Sequence, residues 1–333
     1  MIEVLSAGAL TTVQDRGRYG CLRWGVGTAG AMDGVALAAG NILLGNAQDC
    51  AAVEVQIFPF RVRFHEDCAF AITGADCDAR LDALPLMPWS AHNARAGQEL
   101  LLGPPQPGPT RGSRAYLCLA GGVDVPVVLN SRSTQLRGAF GGVEGRALRR
   151  GDRLRAAAPT VIPAQAGIQG VLGLVPPEIA LPLRRDGCPA VRVLPAAEYE
   201  DYTEASRLAF WRNEWKITPH SDRYGYRLAG EALQPVAPME MRSHGIVPGV
   251  IQVPPDGQPI VQMRDAQPTG GYPKIGTVIE ADLWRLGQAP IGGRIRFVET
   301  SWDAALDALD AVQAWLADAA RQVALQRQTR STA

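Results

Sequence analysis

The chain carries no excess charge of either sign: 33 Lys and Arg stand against 33 Asp and Glu, a formal net charge of zero. Adjacent basic residues reach no further than the pairs Arg149–Arg150 and Arg184–Arg185. A binder of phosphate backbones needs a concentrated positive face, so nucleic acid is not an expected partner. The six cysteines (21, 50, 68, 77, 118 and 188) form no C-x-x-C pair and no closely spaced framework. Free thiols in a reducing compartment are therefore expected. The four histidines (His65, His92, His220, His244) are scattered and none lies at i, i+4 from another, so no zinc site is expected. No apolar run is long enough to span a bilayer. The opening M-I-E-V-L-S-A-G has Glu3 and no basic segment of the kind a signal peptide carries. A soluble, cytoplasmic protein without a membrane partner is the expectation.

Several cofactor motifs are missing as well. There is no G-x-x-x-x-G-K-[ST] phosphate loop, no G-x-S-x-G nucleophile elbow and no A-M-K-M biotin-acceptor segment, since Lys274 lies in Y-P-K-I. Any biotin would have to arrive on another chain. Gly25, Gly27 and Gly30 do spell G-x-G-x-x-G. A dinucleotide fold needs a buried apolar strand just before it, and Asp15 to Trp24 hold four charges and two glycines instead. The match is a coincidence of spacing.

What is abundant is turn-forming residue: 36 Gly and 25 Pro. With few aromatics, that composition points to short elements joined by many turns, a mostly β protein with some α. At 333 residues there is room for two domains, each with its own core. A strand and turn are predicted over Met1 to Val13, and a helix from about Ala31 to Leu44, stopped by Gly45–Asn46. Alternating or apolar strands follow at 53–58, 61–64 and 69–74, with a hairpin arm at 81–86 and a buried strand at 115–120. The prolines of 103–109 make that stretch a loop. Domains are expected over 1–159 and 190–333, joined by an Ala-, Pro- and Gly-rich connection at 160–189. In the second half, a strand at 191–194 and a helix from Glu198 to Trp211 precede strands at 224–229, 249–253, 259–264, 276–280 and 294–298. Thr300 or Ser301 caps a final helix, and the tail from Arg327 is expected to fray. D-R-G-R-Y-G at 15–20 echoes D-R-Y-G-Y-R at 222–227, and A-I-T-G at 71–74 faintly echoes P-T-G-G at 268–271.

Polar side chains crowd onto glycine-rich backbone in four places. T-T-V-Q-D-R-G-R-Y-G (11–20) runs on to G-T-A-G-A-M-D (27–33), which opens the first helix. Its free N–H groups suit an anion, though a plain cap by Thr28 or Asp33 accounts for the same residues. N-S-R-S-T-Q-L-R-G-A-F-G-G (130–142) offers two arginines, three hydroxyls and two amides within eight positions. Such a set can grip a carboxylate or phosphate bidentately. S-D-R-Y-G-Y-R-L-A-G (221–230) and Q-P-T-G-G-Y-P-K-I-G (267–276) complete the set, and T-G-A-D (73–76) ends a strand with Thr73 and Asp76. Each could equally be an ordinary turn.

In this order, together with G-V-I-Q-V-P-P-D-G-Q-P-I, these stretches resemble the family of the 5-oxoprolinase C-subunit, also called KipA-like or allophanate hydrolase subunit 2-like. The same module resembles the carboxyltransferase part of urea amidolyase. The likeness runs from Thr11 to about Phe297; Pro268 departs from it, standing where the family commonly has Thr, and 160–169 reads as an insertion. The resemblance implies two cyclophilin-like β-barrel domains with a substrate cleft between them, and as partners the other two 5-oxoprolinase components, a KipI-like B-subunit and an A-subunit. It implies an ATP-using complex that opens 5-oxoproline to glutamate, active only when assembled. Its alternatives are biotin-dependent carboxyl transfer to urea or a related amide, with biotin in trans, and a KipA-like regulator that binds a KipI-like kinase inhibitor. An amide is a poor electrophile and a poor nucleophile, so activation needs an acceptor for N–H and positive charge for the oxyanion. In that frame Asp15, Asp33 and Asp76 are the candidate acceptors. Arg18, Asn130, Ser131, Arg132, Thr134, Arg137, Ser221, Arg223, Gln267, Thr269, Gly270, Gly271 and Tyr272 are the candidate substrate-binding residues, and no metal ligand is implied.

Overall fold

The computed structural model describes residues 1–105, 112–157 and 172–331. They form two compact, interleaved units, where consecutive stretches were expected. Unit 1 comprises Met1–Arg18, Ala29–Leu181 and Gln313–Ala333; unit 2 comprises Tyr19–Thr28 and Pro182–Val312. Residues 106–111 of the proline-rich loop and 158–171, which contain the expected insertion, lie outside the described residues.

Unit 1 is built on two antiparallel sheets. The first runs Val123–Asp124, Arg153–Ala156, Ile2–Ser6, Phe60–Phe64, Glu99–Leu102, Arg80–Leu81, Leu84–Pro85. The second runs Leu172–Gly173, Ser90–Ala94, Cys68–Gly74, Ala115–Leu119, Ala52–Val55, Thr12–Gln14. Strand Phe60–Phe64 shows the sequence logic: Phe60, Val62 and Phe64 are buried while Arg61 and Arg63 face out, the period of a sheet with one wet face. Both arginines pair with Glu99 on the neighbouring strand, each at 2.6 Å. The three phenylalanine- and valine-bearing positions join Val53, Phe70, Ile72 and Leu117 of the second sheet in one core. Each such side chain contributes about 1.5–3 kcal/mol by leaving water.

Strand Cys68–Gly74 is buried at all seven positions and Ala115–Leu119 at all five. Their second faces meet the helix Gly34–Leu44, where Thr73 Oγ1 donates to the Ala36 carbonyl at 2.7 Å. Gly40 permits this approach, since a Cβ there would lie 2.6 Å from Cys118 Sγ. The helix is buried at ten of eleven positions, so its sequence is apolar nearly all round. It starts three residues later than the periodicity predicts and ends at Gly45, which takes the left-handed cap at φ 72°.

Unit 2 is a closed barrel. Cys188–Pro195 pairs with Lys274–Val278, and the ladder continues through Val250–Gln252, Ile260–Gln262, Gly225–Ala229, Trp215–Ile217 and Arg294–Glu299. Arg294–Glu299 then returns to Cys188–Pro195 as a parallel neighbour, with Ala190 opposite Arg296 and Val193 opposite Glu299. Phe210, from the helix Glu204–Arg212, stacks on Phe297 with ring centroids 4.8 Å apart. A separate two-stranded ribbon, His244–Gly245 with Thr269–Gly270, carries the glycine-rich loop of 267–272.

The last helix, Trp302–Ser331, is capped by Ser301, whose Oγ accepts from Ala304 N at 3.2 Å. Arg327, where the tail was expected to begin fraying, is still helical. Arg327 Nη2 donates at 2.8 Å to the Leu43 carbonyl, one of the acceptors a helix end leaves without an intrahelical donor.

Candidate functional site

In unit 1 the first two motifs come together around one carboxylate. Asp15 accepts from Gly17 N (2.8 Å), from Ser131 Oγ (2.7 Å), from Ser133 Oγ and from the Arg132 backbone N–H. Three of these donors crowd Oδ1 and one reaches Oδ2, so Asp15 organises the 128–142 loop. Arg18, fully buried, works from the same side: Nη2 donates to the Ser133 carbonyl at 2.7 Å, and its guanidinium lies 4.7 Å from the Phe140 ring centre. Thr134 Oγ1 donates to Val13 O at 3.0 Å. Gly141 lets the loop fold back, at φ 70°, because a Cβ there would sit 2.1 Å from the Ser133 carbonyl oxygen.

The outer rim of this loop is different. Asn130 and Arg137 are exposed, and Leu129 and Asn130 both hold positive φ, 53° and 60°. A branched apolar residue in that region is uncommon and costs energy. The Arg132 side chain is half-buried, with Nη1 on the Val125 carbonyl at 2.9 Å. Asp33 is engaged elsewhere: its Oδ1 accepts from Val35 N (3.0 Å) and Ala36 N (2.8 Å). The helix N-terminus that suited an anion is thus filled by the chain's own carboxylate. Asp76, half-buried after the strand Cys68–Gly74, makes no hydrogen bond or ion pair among the described residues. Of the three acidic candidates it is the least engaged.

In unit 2, the S-D-R-Y-G motif is a braced turn. Asp222 Oδ1 accepts from Tyr224 N at 2.7 Å, as Asp15 does from Gly17 N, and in both cases an almost wholly buried arginine follows (Arg18, Arg223). The likeness between 15–20 and 222–227 reaches the aspartate turn but not the arginines, since Arg16, which matches Arg223 in position, is exposed. At the second echo Cys68–Gly74 is a long buried strand and Thr269–Gly270 a two-residue one. Ser221 Oγ bonds the backbone of Arg227, and Arg223 bonds Asp265. By contrast Gln267, Thr269 and Tyr272 present exposed side chains, with Gly270 and Gly271 half-buried between them. Beneath Gly270 lies a buried amide pair, Gln262 Nε2 to Gln252 Oε1 at 3.0 Å, and Gln252 Nε2 reaches the Tyr272 carbonyl at 3.3 Å.

One group beside this loop escaped the sequence reading. Lys274 Nζ lies 2.5 Å from His244 Nε2 and 3.4 Å from Glu198 Oε1, and Glu198 Oε2 accepts from the Lys274 backbone N–H at 3.2 Å. The available signal was composition: Lys216 and Lys274 are the only two lysines among 33 basic residues.

The thiols are poor nucleophile candidates. All six cysteines are free and five are buried; burial pushes Cys77 up to about 12 and Cys118 higher still, away from the thiolate form. Among the described residues no group of three metal-ligating side chains occurs, and no helix is long and apolar enough to cross a membrane.

Comparison with known proteins follows the same outline. The sequence model of the family described as "Carboxyltransferase domain, subdomain A and B" matches residues 24–299. The protein named as the C-subunit of 5-oxoprolinase in Escherichia coli (strain K12) is 43% identical over 308 residues, 92% of this chain and 94% of that protein. Its namesake from Haemophilus influenzae is 42% identical over 301 residues, 90% of this chain and 92% of that one. The crystal structure of the K. lactis urea amidolyase matches with a TM-score of 0.83 at 28% identity, covering 94% of this chain and 20% of that much longer one.

Proposed function

The chain belongs to the carboxyltransferase family of subdomains A and B, and on that premise we propose that it serves as the C-subunit of an ATP-dependent 5-oxoprolinase complex. The observation that carries this reading is length as much as identity. At 42–43% identity this chain and the two proteins of that name cover one another almost end to end.

In this proposal the chain binds the cyclic amide and supports its activation, with an A-subunit and a KipI-like B-subunit completing hydrolysis. Gln267, Thr269 and Tyr272 are free to meet substrate, and the half-buried backbone at Gly270 and Gly271 allows close approach. In unit 1, taken by itself, Arg132 and Arg137 carry positive charge suited to a carboxylate or phosphate, and Asp76 has acceptor capacity for an N–H. The chain lacks a G-K-[ST] loop and its Gly34–Leu44 helix start is closed by Asp33, which favours a partner as the seat of the nucleotide. A cytoplasmic setting suits the six free thiols.

The test is co-expression with candidates for those two partners, followed by assay of ATP-dependent glutamate release from 5-oxoproline. No release by any assembled set would end the reading. The likeness to urea amidolyase supports a second one, carboxyl transfer to urea from a biotin carried on another chain. It requires a biotinylated partner and bicarbonate-dependent turnover.

A further inference from the structure

Lys274, His244 and Glu198 form one hydrogen-bonded group. His244 Nδ1 lies 3.0 Å from the Arg242 carbonyl oxygen, which can only accept, so Nδ1 carries a hydrogen. Nε2 then faces Lys274 Nζ at 2.5 Å. Nitrogen to nitrogen at that distance is a single hydrogen bond, of the kind an imidazole Nε2 accepts from a lysine ammonium. Glu198 holds the ammonium from another side at 3.4 Å and anchors the Lys274 backbone. An ammonium has three hydrogens, and these two partners orient two of them.

The surroundings suggest where the third is directed. His244 pairs across the ribbon with Gly270, in the middle of the open Gln267–Tyr272 loop. The Lys274 side chain is 19% exposed, enough to be reached and buried enough to act in reduced dielectric. Lysine at this point is also a departure from the chain's habit, since 31 of its 33 basic residues are arginine (33 less Lys216 and Lys274). A compact point charge differs from a planar fork in what it can hold: one oxygen, head on.

We propose that Lys274 is a catalytic residue that holds the carbonyl oxygen of the small amide as it becomes anionic, with His244 and Glu198 as positioning residues. The assignment rests on the amide reading above but not on which amide is used. His244 aims the ammonium through one hydrogen bond, and Glu198 holds it in place until the oxyanion forms.

Two lysines make the test clean. The assembled complex is treated briefly with acetic anhydride, alone or with 5-oxoproline or urea, and acetylation of Lys274 and Lys216 is followed by peptide mass spectrometry. Saturating 5-oxoproline should slow acetylation of Lys274 about tenfold and leave Lys216 unchanged. Protection by urea alone would keep the role of Lys274 and remove the 5-oxoprolinase reading. Protection by neither overturns the assignment, even if the wild-type complex turns over 5-oxoproline. In a working complex, Lys274→Met should lower kcat by about 100- to 1,000-fold with little change in KM. Added methylamine should partly rescue Lys274→Ala, whereas Lys274→Arg stays slow. Loss of activity that no amine rescues, together with a lowered melting temperature, would make the lysine structural and defeat the proposal.

Discussion

The Arg223 guanidinium meets the Asp265 carboxylate through two parallel hydrogen bonds, Nε to Oδ2 at 3.0 Å and Nη2 to Oδ1 at 2.9 Å. Both side chains are at most 4% exposed. A fork so engaged is an internal brace between the 221–225 turn and the strand exit after Gln262, which sets Arg223 apart from the open residues of 267–272.

Removing one partner of this pair should therefore unfold the barrel more readily. Asp265→Ala strands a buried guanidinium, and such losses cost about 3–5 kcal/mol. Thermal unfolding followed by tryptophan fluorescence, with Trp215 as the reporter inside unit 2, should show a clearly lowered transition. A melting curve that overlays the wild type would mean that other contacts hold the arginine.

Asp33 should behave as a cap. Asp33→Ala is expected to cost about 1–2 kcal/mol, while Asp33→Ser, which can still accept from the first N–H groups, should be nearly silent. Turnover of the assembled complex should track the folded fraction in both. A stable but inactive Asp33→Ser protein would return the carboxylate to the chemistry.

His92 gives unit 1 a pH dependence. Desolvation beside Phe70 holds its imidazole below the ordinary value, with Ser90 Oγ 2.7 Å from Nε2. The fold thus prefers neutral His92, whereas the unfolded chain takes up a proton below about pH 6.5. Its stability contribution is complete above that pH and is lost as pH falls through the folded-state value. His92→Gln should flatten the change in melting temperature between about pH 7.5 and 5.5; equal slopes in both proteins would exclude the assignment.

The C-terminal helix should be needed to its last turns. Arg327→Ala removes the charged donor to Leu43 O, at a cost of about 1.5–3 kcal/mol. Differential scanning calorimetry of that variant, and of a chain cut before residue 327, should show similar losses. No change would restore the picture of a dispensable tail.

Legibility from sequence divided along physical lines. Strand Phe60–Phe64 was readable because one wet face imposes a period of two, whereas 81–86, read as a single hairpin arm, holds the turn between the two-residue strands Arg80–Leu81 and Leu84–Pro85. Trp215–Ile217 and the helix Leu283–Gln288 were not readable, being too short to display any period. Asp15 and Arg18 were read as candidates for substrate, and side-chain type alone could not tell that Asp15 accepts from Ser131, Arg132 and Ser133 and that Arg18 donates to the Ser133 carbonyl. Lys274 stayed hidden because its partners come from 76 and 30 residues away, and spacing rules see only neighbours in the chain.

The parallel seam between Cys188–Pro195 and Arg294–Glu299 sets a timetable for synthesis. A ring whose first and last staves touch has no finished wall until its final stave has left the ribosome, more than a hundred residues after the first. Until then two bare strand edges of unit 2 are open to wrong partners. A chain stopped short of Phe297 should be prone to aggregate, however well its earlier portion folds.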